Sequence, residues 1–185
     1  QPFTRDHAEF VVTSPGVSMF SDVLQGSVAN GLKVISEIEL AFLAASAPIL
    51  AVTGTNGKST TTAMAWHMLR AAGVDAVLCG NIYGSGYDEV TLTEAAMNAK
   101  ADQVLVAEIS SFQLEWVEKF QPKCAAITNL SEDHLDRYEG SRDLYASMKH
   151  RLYAAMEGED TLVVPSGLEL NPTKTRVLRF GQHGD

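Results

Sequence analysis

The sequence predicts an α/β fold with a mainly parallel sheet and a phosphate-binding loop. Three observations carry that prediction. Short apolar runs rich in Val, Ile and Leu alternate with helical stretches along the chain. One run feeds a glycine-rich loop that opens a helix, Val52-Thr53-Gly54-Thr55-Asn56-Gly57-Lys58-Ser59-Thr60. Loops at 54–57, 80–86, 108–113 and 129–137 each follow an apolar run. In a parallel sheet those strand ends share one edge, where open α/β folds bind ligands.

The elements follow in order. Phe10 to Thr13 reads as a strand, ended by Ser14-Pro15-Gly16, since Pro supplies no donor and Gly tolerates positive φ. Residues 22–30 read as a helix and Lys33-Val34-Ile35 as a short strand. Ser36 is placed to cap a helix from Glu37 to Ala45, with Glu37 and Glu39 near its positive end. Ala47-Pro48 marks a boundary, dividing the chain into residues 1–47 and 48–185. Ile49 to Val52 is a continuous apolar run suited to a buried parallel strand. A helix runs from Lys58 to Ala72 and closes at Gly73. Ala76 to Leu78 is the next strand, residues 80–86 a long turn, and residues 91–99 a helix. Val104 to Ala107 delivers Glu108 at a strand end, and Ala125 to Thr128 delivers Asn129. Glu115 is read as opening a helix. Residues 141–156 are the strongest helix, and Thr161 to Val164 and Arg176 to Leu178 are late strands.

Composition bounds the function. The chain has 185 residues, enough for one domain or one domain plus part of another. Hydrophobic residues make up 45% and charged residues 20%, which excludes a disordered tail or a collagen-like fibre. Acids outnumber Lys and Arg by 23 to 14, a net charge of −9. Such a chain has no global attraction for nucleic acid or an anionic membrane, so any phosphate is held locally. Two cysteines, Cys79 and Cys124, make no disulfide framework and read as reduced cytoplasmic thiols. No apolar run reaches the ~18 residues that span a bilayer. The start, Gln1-Pro2-Phe3, carries neither an initiator Met nor a signal pattern, so a fragment is expected.

The loop from Thr53 to Thr60 is the most informative stretch. Glycines turn the backbone so that N–H groups point inward, and the following helix adds its positive dipole end. Lys58 brings a point charge to the outer phosphates, and Ser59 or Thr60 offers a hydroxyl to Mg²⁺. Strict Walker A spacing requires Gly at position 52, which is Val. Glu108 stands where nucleotide-bound Mg²⁺ would sit, as a ligand or the holder of a ligating water; a strand-end Glu with a purely structural role is the alternative. The run Asn129 to Tyr138 packs three acids, His134 and Arg137 together, and helix capping explains the whole cluster poorly. His134 reads as a ligand for a second metal, a phosphate-orienting group or a surface residue. From spacing alone Lys149 is an exposed helix lysine. A nucleotide loop does not by itself name a reaction, and a non-catalytic nucleotide-binding module also fits. A GTPase-like switch lacks its guanine-reading Asn-Lys-x-Asp segment.

Taken together these residues resemble the Mur ligases, the ATP-dependent amide-forming enzymes of peptidoglycan precursor synthesis. The phosphate loop Thr53 to Thr60 has the family form. The run Glu108 to Glu115, followed by Glu132-Asp133-His134-Leu135-Asp136-Arg137-Tyr138, is most similar to the branch that adds D-glutamate. Ser14-Pro15-Gly16 and Ser36-Glu37-Ile38-Glu39-Leu40 resemble the end of that branch's N-terminal domain. The resemblance implies three domains: residues 1–47 end the UDP-sugar-binding domain, residues 48–185 belong to the ATP-binding central domain, and the amino-acid-binding domain is absent. It implies ATP, two Mg²⁺ ions, a UDP-muramoyl precursor and an amino acid as ligands, with a monomer when full length. Gly54, Thr55, Asn56, Gly57, Lys58, Ser59 and Thr60 would bind ATP, with Lys58 on the β- and γ-phosphates. Ser59 and Glu108 would serve one Mg²⁺, His134 the second, and Lys149 would carry a CO₂-derived carbamate. Asn81, Ser110 and Gln113 would contact the muramoyl substrate, and Ser14 and Ser36 would lie near the uridine phosphates. The implied reaction is acyl-phosphate formation followed by amine attack, with this portion inactive alone. A Mur-type ligase with another acyl or amine substrate fits the same motifs. Two departures stand out. Gly80-Asn81-Ile82 runs into a longer Tyr83-Gly84-Ser85-Gly86-Tyr87 loop, and Pro165-Ser166-Gly167-Leu168-Glu169 replaces the family's Asn-Ala-Asp-Asp run.

Overall fold

A computed structural model of the chain describes residues 1–131 and 136–182. Two parallel sheets are present. β1 (Phe10–Thr13) and β2 (Lys33–Ser36) pair in parallel, joined by α1 (Asp22–Ala29). The helix α2 (Glu37–Ala44) follows β2 directly, and the Ser36 hydroxyl accepts the Glu39 N–H as its N-cap.

The larger sheet has six strands, and every described pairing in it is parallel. In chain order they are β3 (Ile49–Thr53), β4 (Ala76–Gly80), β5 (Val104–Glu108), β6 (Cys124–Ile127), β7 (Glu157–Pro165) and β8 (Lys174–Phe180). Between them come α3 (Lys58–Ala71), α4 (Leu92–Asn98) and α5 (Arg142–His150). The spatial order is β4-β5-β3-β6-β7-β8. The chain leaves β3 toward β4 and β5 on one side, then crosses to β6 on the other. That reversal puts a topological switch point at the end of β3. Register sharpens it: Val52 pairs with Glu108 and Thr53 with Ile127. The strand ends therefore stand side by side.

The core is built from the inward faces of these strands and the helices over them. Ala51, Leu105, Ala107, Ala125, Ile127 and Leu162 have no exposed surface. Small residues on the central strands let the helices approach closely. Cys79 is part of this core, and burial pushes its thiol up to about 12, so it acts as a small apolar side chain. Among the described residues no helix is long and apolar enough to cross a membrane.

The structure departs from sequence expectation at two helices. The helix expected over 141–156 ends at His150. Beyond it the N–H groups of Leu152, Tyr153 and Met156 bond the carbonyls three residues back, in tight turns. Those turns seat Leu152, Tyr153 and Met156 in the core. No helix opens at Glu115 either; residues 111–116 form turns. Its buried carboxylate is balanced by Arg137 rather than by a helix dipole.

The crossover from β7 to β8, residues 166–173, contains no helix, although parallel strands are usually joined by longer helical connections. Leu168 and Leu170 pack on the core in its place. One Arg179 amino group donates to the carbonyls of Pro165, Ser166 and Leu168 at 3.0–3.2 Å, and the Tyr153 hydroxyl accepts the Asn171 N–H. These bonds replace the ones a crossover helix would make internally.

Two buried acids tie segments together. Glu39, with no exposed surface, accepts the backbone N–H groups of Glu118, Lys119 and Phe120 at 2.8–3.1 Å. It fixes α2 to the turn before β6. Substituting Glu39 by Ala leaves three donors without their acceptor, and a loss of about 2–3 kcal/mol is expected, read from urea unfolding with an unchanged slope. Asp160 accepts from the Gln121 amide, the Lys123 ammonium and the Glu157 N–H. Burial pushes its carboxyl up, but those bonds outweigh burial and hold it below the usual carboxylate range. Its contribution is therefore full above the unfolded-state value of about 4 and lost as pH falls through the lower folded-state value. The stability gap between wild type and D160N, measured by thermal melts, should close below about pH 4 and stay open at pH 7.

Candidate active site

The phosphate loop begins where β3 ends. Gly54 has φ 151°, and a Cβ there would sit 1.9 Å from the Thr128 hydroxyl. Gly57 takes φ 77° as the residue before α3, which aims the helix start into the loop. The loop is held from the β6 side. Asn129 pairs with both backbone groups of Asn56: its Oδ1 accepts the N–H at 2.9 Å and its Nδ2 donates to the carbonyl at 2.8 Å. The Thr128 hydroxyl donates to the same carbonyl at 2.6 Å. The Thr55 hydroxyl exchanges hydrogen bonds with Ser131 backbone groups and meets the Tyr145 hydroxyl at 3.1 Å. Lys58 donates its ammonium to the Thr55 carbonyl at 2.9 Å. Ser59 and Thr60 lie in the first turn of α3, half-buried and exposed respectively.

A cleft of about 500 Å³ opens at these strand ends, lined among others by Gly54, Lys58, Asn81, Ser110, Arg137 and Lys149. A second cleft of about 340 Å³ includes Ser14, Glu37, Tyr83, Thr91 and Gln113, and shares Pro15 and Asn81 with the first. The two are neighbours on one ligand edge.

Glu108 ends β5 and is 2% exposed. Its Oε1 accepts from the Asn81 side chain at 3.3 Å, while Oε2 is buried with no hydrogen-bond partner among the described residues. A buried carboxylate oxygen without a donor is costly, and a hard cation takes such an oxygen as ligand. The donor chemistry at Glu108 thus fits magnesium, although among the described residues no three His, Cys, Asp or Glu side chains gather into a metal site.

Lys149 is not the exposed helix lysine that spacing suggests. It is 2% exposed. Its ammonium donates to the Gly54 carbonyl at 2.9 Å and stands 4.9 Å from the Tyr145 ring centre. Tyr145 and Lys149 together hold α5 on the phosphate loop. Ser110 and Gln113 brace one another: the Ser110 N–H donates to Gln113 Oε1 at 2.9 Å, and the Gln113 N–H to the Ser110 hydroxyl at 3.3 Å. Ser14 and Gln113 reach the second cleft, and Asn81 reaches both. Ser36 lines neither: it is buried and occupied as the α2 cap. His134 lies outside the described residues.

Two groups at the site escape a reading of the sequence. The Asn129 clasp on Asn56 is one, signalled only by an amide at a strand end. The other is the ion pair of Arg137 and Glu115, whose partners are 22 positions apart and share no local pattern.

Residues 52–184 match the Mur ligase middle domain. The chain belongs to the Mur ligase family. It is 43% identical over 161 residues to the UDP-N-acetylmuramoylalanine–D-glutamate ligase of Desulfatibacillum aliphaticivorans, covering 87% of this chain and 34% of that protein. The enzyme of the same name from Trichlorobacter lovleyi is 44% identical over 163 residues, covering 88% and 35%. The chain thus spans about a third of the length of these relatives. Among solved structures, Thermotoga maritima MurF ligase in complex with ADP aligns with a TM-score of 0.60 at 18% identity, over 96% of this chain and 52% of that one. A UDP-N-acetylmuramate:L-alanyl-γ-D-glutamyl-meso-diaminopimelate ligase from Neisseria meningitides aligns at 0.59 and 20% identity, over 96% and 60%. These two share the fold.

In this Mur ligase chain Glu108 is positioned through its neighbour strand. Gly80 has φ 92°, and a Cβ there would lie 2.2 Å from the Glu108 carbonyl oxygen. Gly80→Ala should cost about 3 kcal/mol or more in chemical unfolding. Gly73→Ala is the control. It also has positive φ but meets nothing within 4 Å, and should cost only about 1 kcal/mol.

Proposed function

We propose that this chain is the nucleotide-binding portion of an ATP-dependent ligase that joins D-glutamate to UDP-N-acetylmuramoyl-L-alanine. Residues 1–47 are read as the end of its UDP-sugar domain and residues 48–185 as part of its ATP domain, with the amine site on a further domain. The observation that carries the reading is convergence. Lys58, Lys149 and Asn81 line one cleft, and Asn81 holds Glu108 beside it.

The acyl substrate's carboxylate oxygen attacks the γ-phosphorus of ATP; the bond to the β–γ bridging oxygen breaks, giving an acyl phosphate and ADP. The amine of D-glutamate then attacks the acyl carbon, phosphate leaves, and the amine gives up its proton. Lys58 and the N–H groups at the start of α3 hold the transferring phosphoryl group and accept its spreading negative charge. Asn129 and Thr128 keep the loop in shape while charge moves through it. Magnesium, when bound, would neutralise phosphate oxygens; Ser59 and Glu108 would hold one ion and His134 a second, with Lys149 as a carbamate able to serve as a further metal ligand. The carbamate forms when neutral Lys149 attacks CO₂ and releases a proton. The change turns a cation into an oxygen-bearing anion suited to a hard metal ion. Asn81, Ser110 and Gln113 are assigned to the muramoyl portion, and Ser14 to the uridine phosphate side. The substrates are small molecules, and a cytoplasmic, monomeric enzyme belongs to the same reading.

The full-length protein should release ADP only when UDP-N-acetylmuramoyl-L-alanine and D-glutamate are both present. ADP release with another amino acid, and none with D-glutamate, would move the assignment to a different Mur-type ligase. These 185 residues alone should bind Mg²⁺-AMP-PNP in calorimetry without turnover, and K58A should weaken that binding at least about tenfold.

A further inference from the structure

The two walls of the larger cleft come from different sheets. Gly54, Lys58 and Lys149 belong to the six-stranded sheet and its helices, whereas Pro15 and Gly16 follow β1 of the small sheet. Among the described residues, the Arg137 side chain hydrogen-bonds to both. Arg137 lies between β6 and α5, and its Nε and Nη2 grip the two Glu115 oxygens at 2.9 and 2.8 Å. Nη2 also reaches the backbone carbonyls of Pro15 at 3.0 Å and Val17 at 2.9 Å. The guanidinium lies 4.5 Å from the centre of the Phe112 ring, and both residues line the cleft.

We infer that Arg137 is a positioning residue that sets where the acyl substrate lies relative to the phosphate loop. This rests on the ligase reading and names a further determinant of it. The 14–17 loop is largely exposed, and its own hydrogen bonds are internal: Val17 N–H to the Ser14 carbonyl and Gly16 N–H to the Ser14 hydroxyl. Among the described residues, Arg137 hydrogen-bonds this loop to the rest of the site. It grips carbonyls, so it fixes the path of the backbone whatever side chains the loop carries. Glu115 in turn holds the guanidinium: its carboxylate is buried, and Arg151 donates to its backbone carbonyl. Glu115 and the two carbonyls engage Nε and Nη2, which ties the guanidinium to the loop that lines the cleft. Only a planar fork suits this arrangement. A lysine ammonium gathers its donors at one point and cannot hold a carboxylate and two carbonyls together.

The test is steady-state kinetics of the full-length ligase, with ATP and UDP-N-acetylmuramoyl-L-alanine varied separately, beside thermal melts. R137K should raise KM for the acyl substrate about tenfold, the scale of one lost charge-assisted hydrogen bond, and leave KM for ATP within about twofold. R137A should show the same split, more strongly. Should R137A fail to fold, R137K alone decides the matter. A lowered melting temperature with both KM values unchanged, or both raised together, would reduce Arg137 to a structural ion pair and overturn the inference. A wild-type enzyme without ADP release dependent on the acyl substrate would instead overturn the ligase reading itself.

Discussion

Parallel pairing of β3 with both β5 and β6 decides where every group in the cleft can stand. Register sets Glu108 level with Val52, and Ile127 level with Thr53. Because all three strands point the same way, their C-terminal ends release Gly54, Ile109 and Thr128 at one edge. The Thr53 hydroxyl donates to the Ile109 carbonyl at 2.7 Å, and the Thr128 N–H to the Thr53 carbonyl at 2.9 Å. Those bonds carry the sheet's order into the first residues of the loops. A one-residue slip of β5 would turn Glu108 to the opposite face and remove the carboxylate from the site. The cleft edge is thus a consequence of strand register, and the loops only elaborate it.

Buried charge follows one rule in this protein, with one departure. Glu39 is matched by backbone donors, Glu115 by a guanidinium, and Asp160 by an amide, an ammonium and an N–H. Lys149 is matched by the Gly54 carbonyl. Each of those groups lets two segments pack that would otherwise repel or leave donors unpaired. Glu108 departs from the rule, since one of its oxygens is buried with no partner among the described residues. Among the described residues the fold satisfies its other buried acids and leaves this one half-satisfied beside the phosphate loop, where its oxygen has the chemistry to take a hard cation.

Local chemistry is legible in the sequence, and long-range pairing is not. The Thr53 to Thr60 loop, the Ser36 cap and the delivery of Glu108 at a strand end all depend on neighbours within a few positions, and each stands as the residues imply. Glu115 misleads because an acid after a turn looks like a helix start, while its partner Arg137 lies in another segment. The helix around Lys149 is shorter than its pattern suggests because Leu152 and Met156 continue an apolar period that tertiary packing then overrides. Lys149 reads as exposed because a lysine is ordinarily solvated, yet it stands four residues after Tyr145 on the buried face of α5, which packs on the phosphate loop. The family resemblance points to Lys149, and the structure supplies its burial.

The long loop after β4 shows how such a site tolerates change. Its ends are tied across its base, where the Gly80 N–H donates to the Val90 carbonyl at 2.9 Å, and Ile82 is fully buried. Its far end is anchored on α3. Tyr87 packs edge-on to Trp66, and its hydroxyl meets His67 Nε2 at 3.1 Å. Between these anchors Tyr83 faces ligand space, 59% exposed on the second cleft. Asn81, which holds Glu108, precedes the altered stretch and keeps its place. The exposed stretch of the loop therefore lines the second cleft, and the close approach of Gly80 to the Glu108 backbone precedes it. A loop anchored in this way can change its exposed residues without disturbing Asn81 or the Gly54–Lys58 loop.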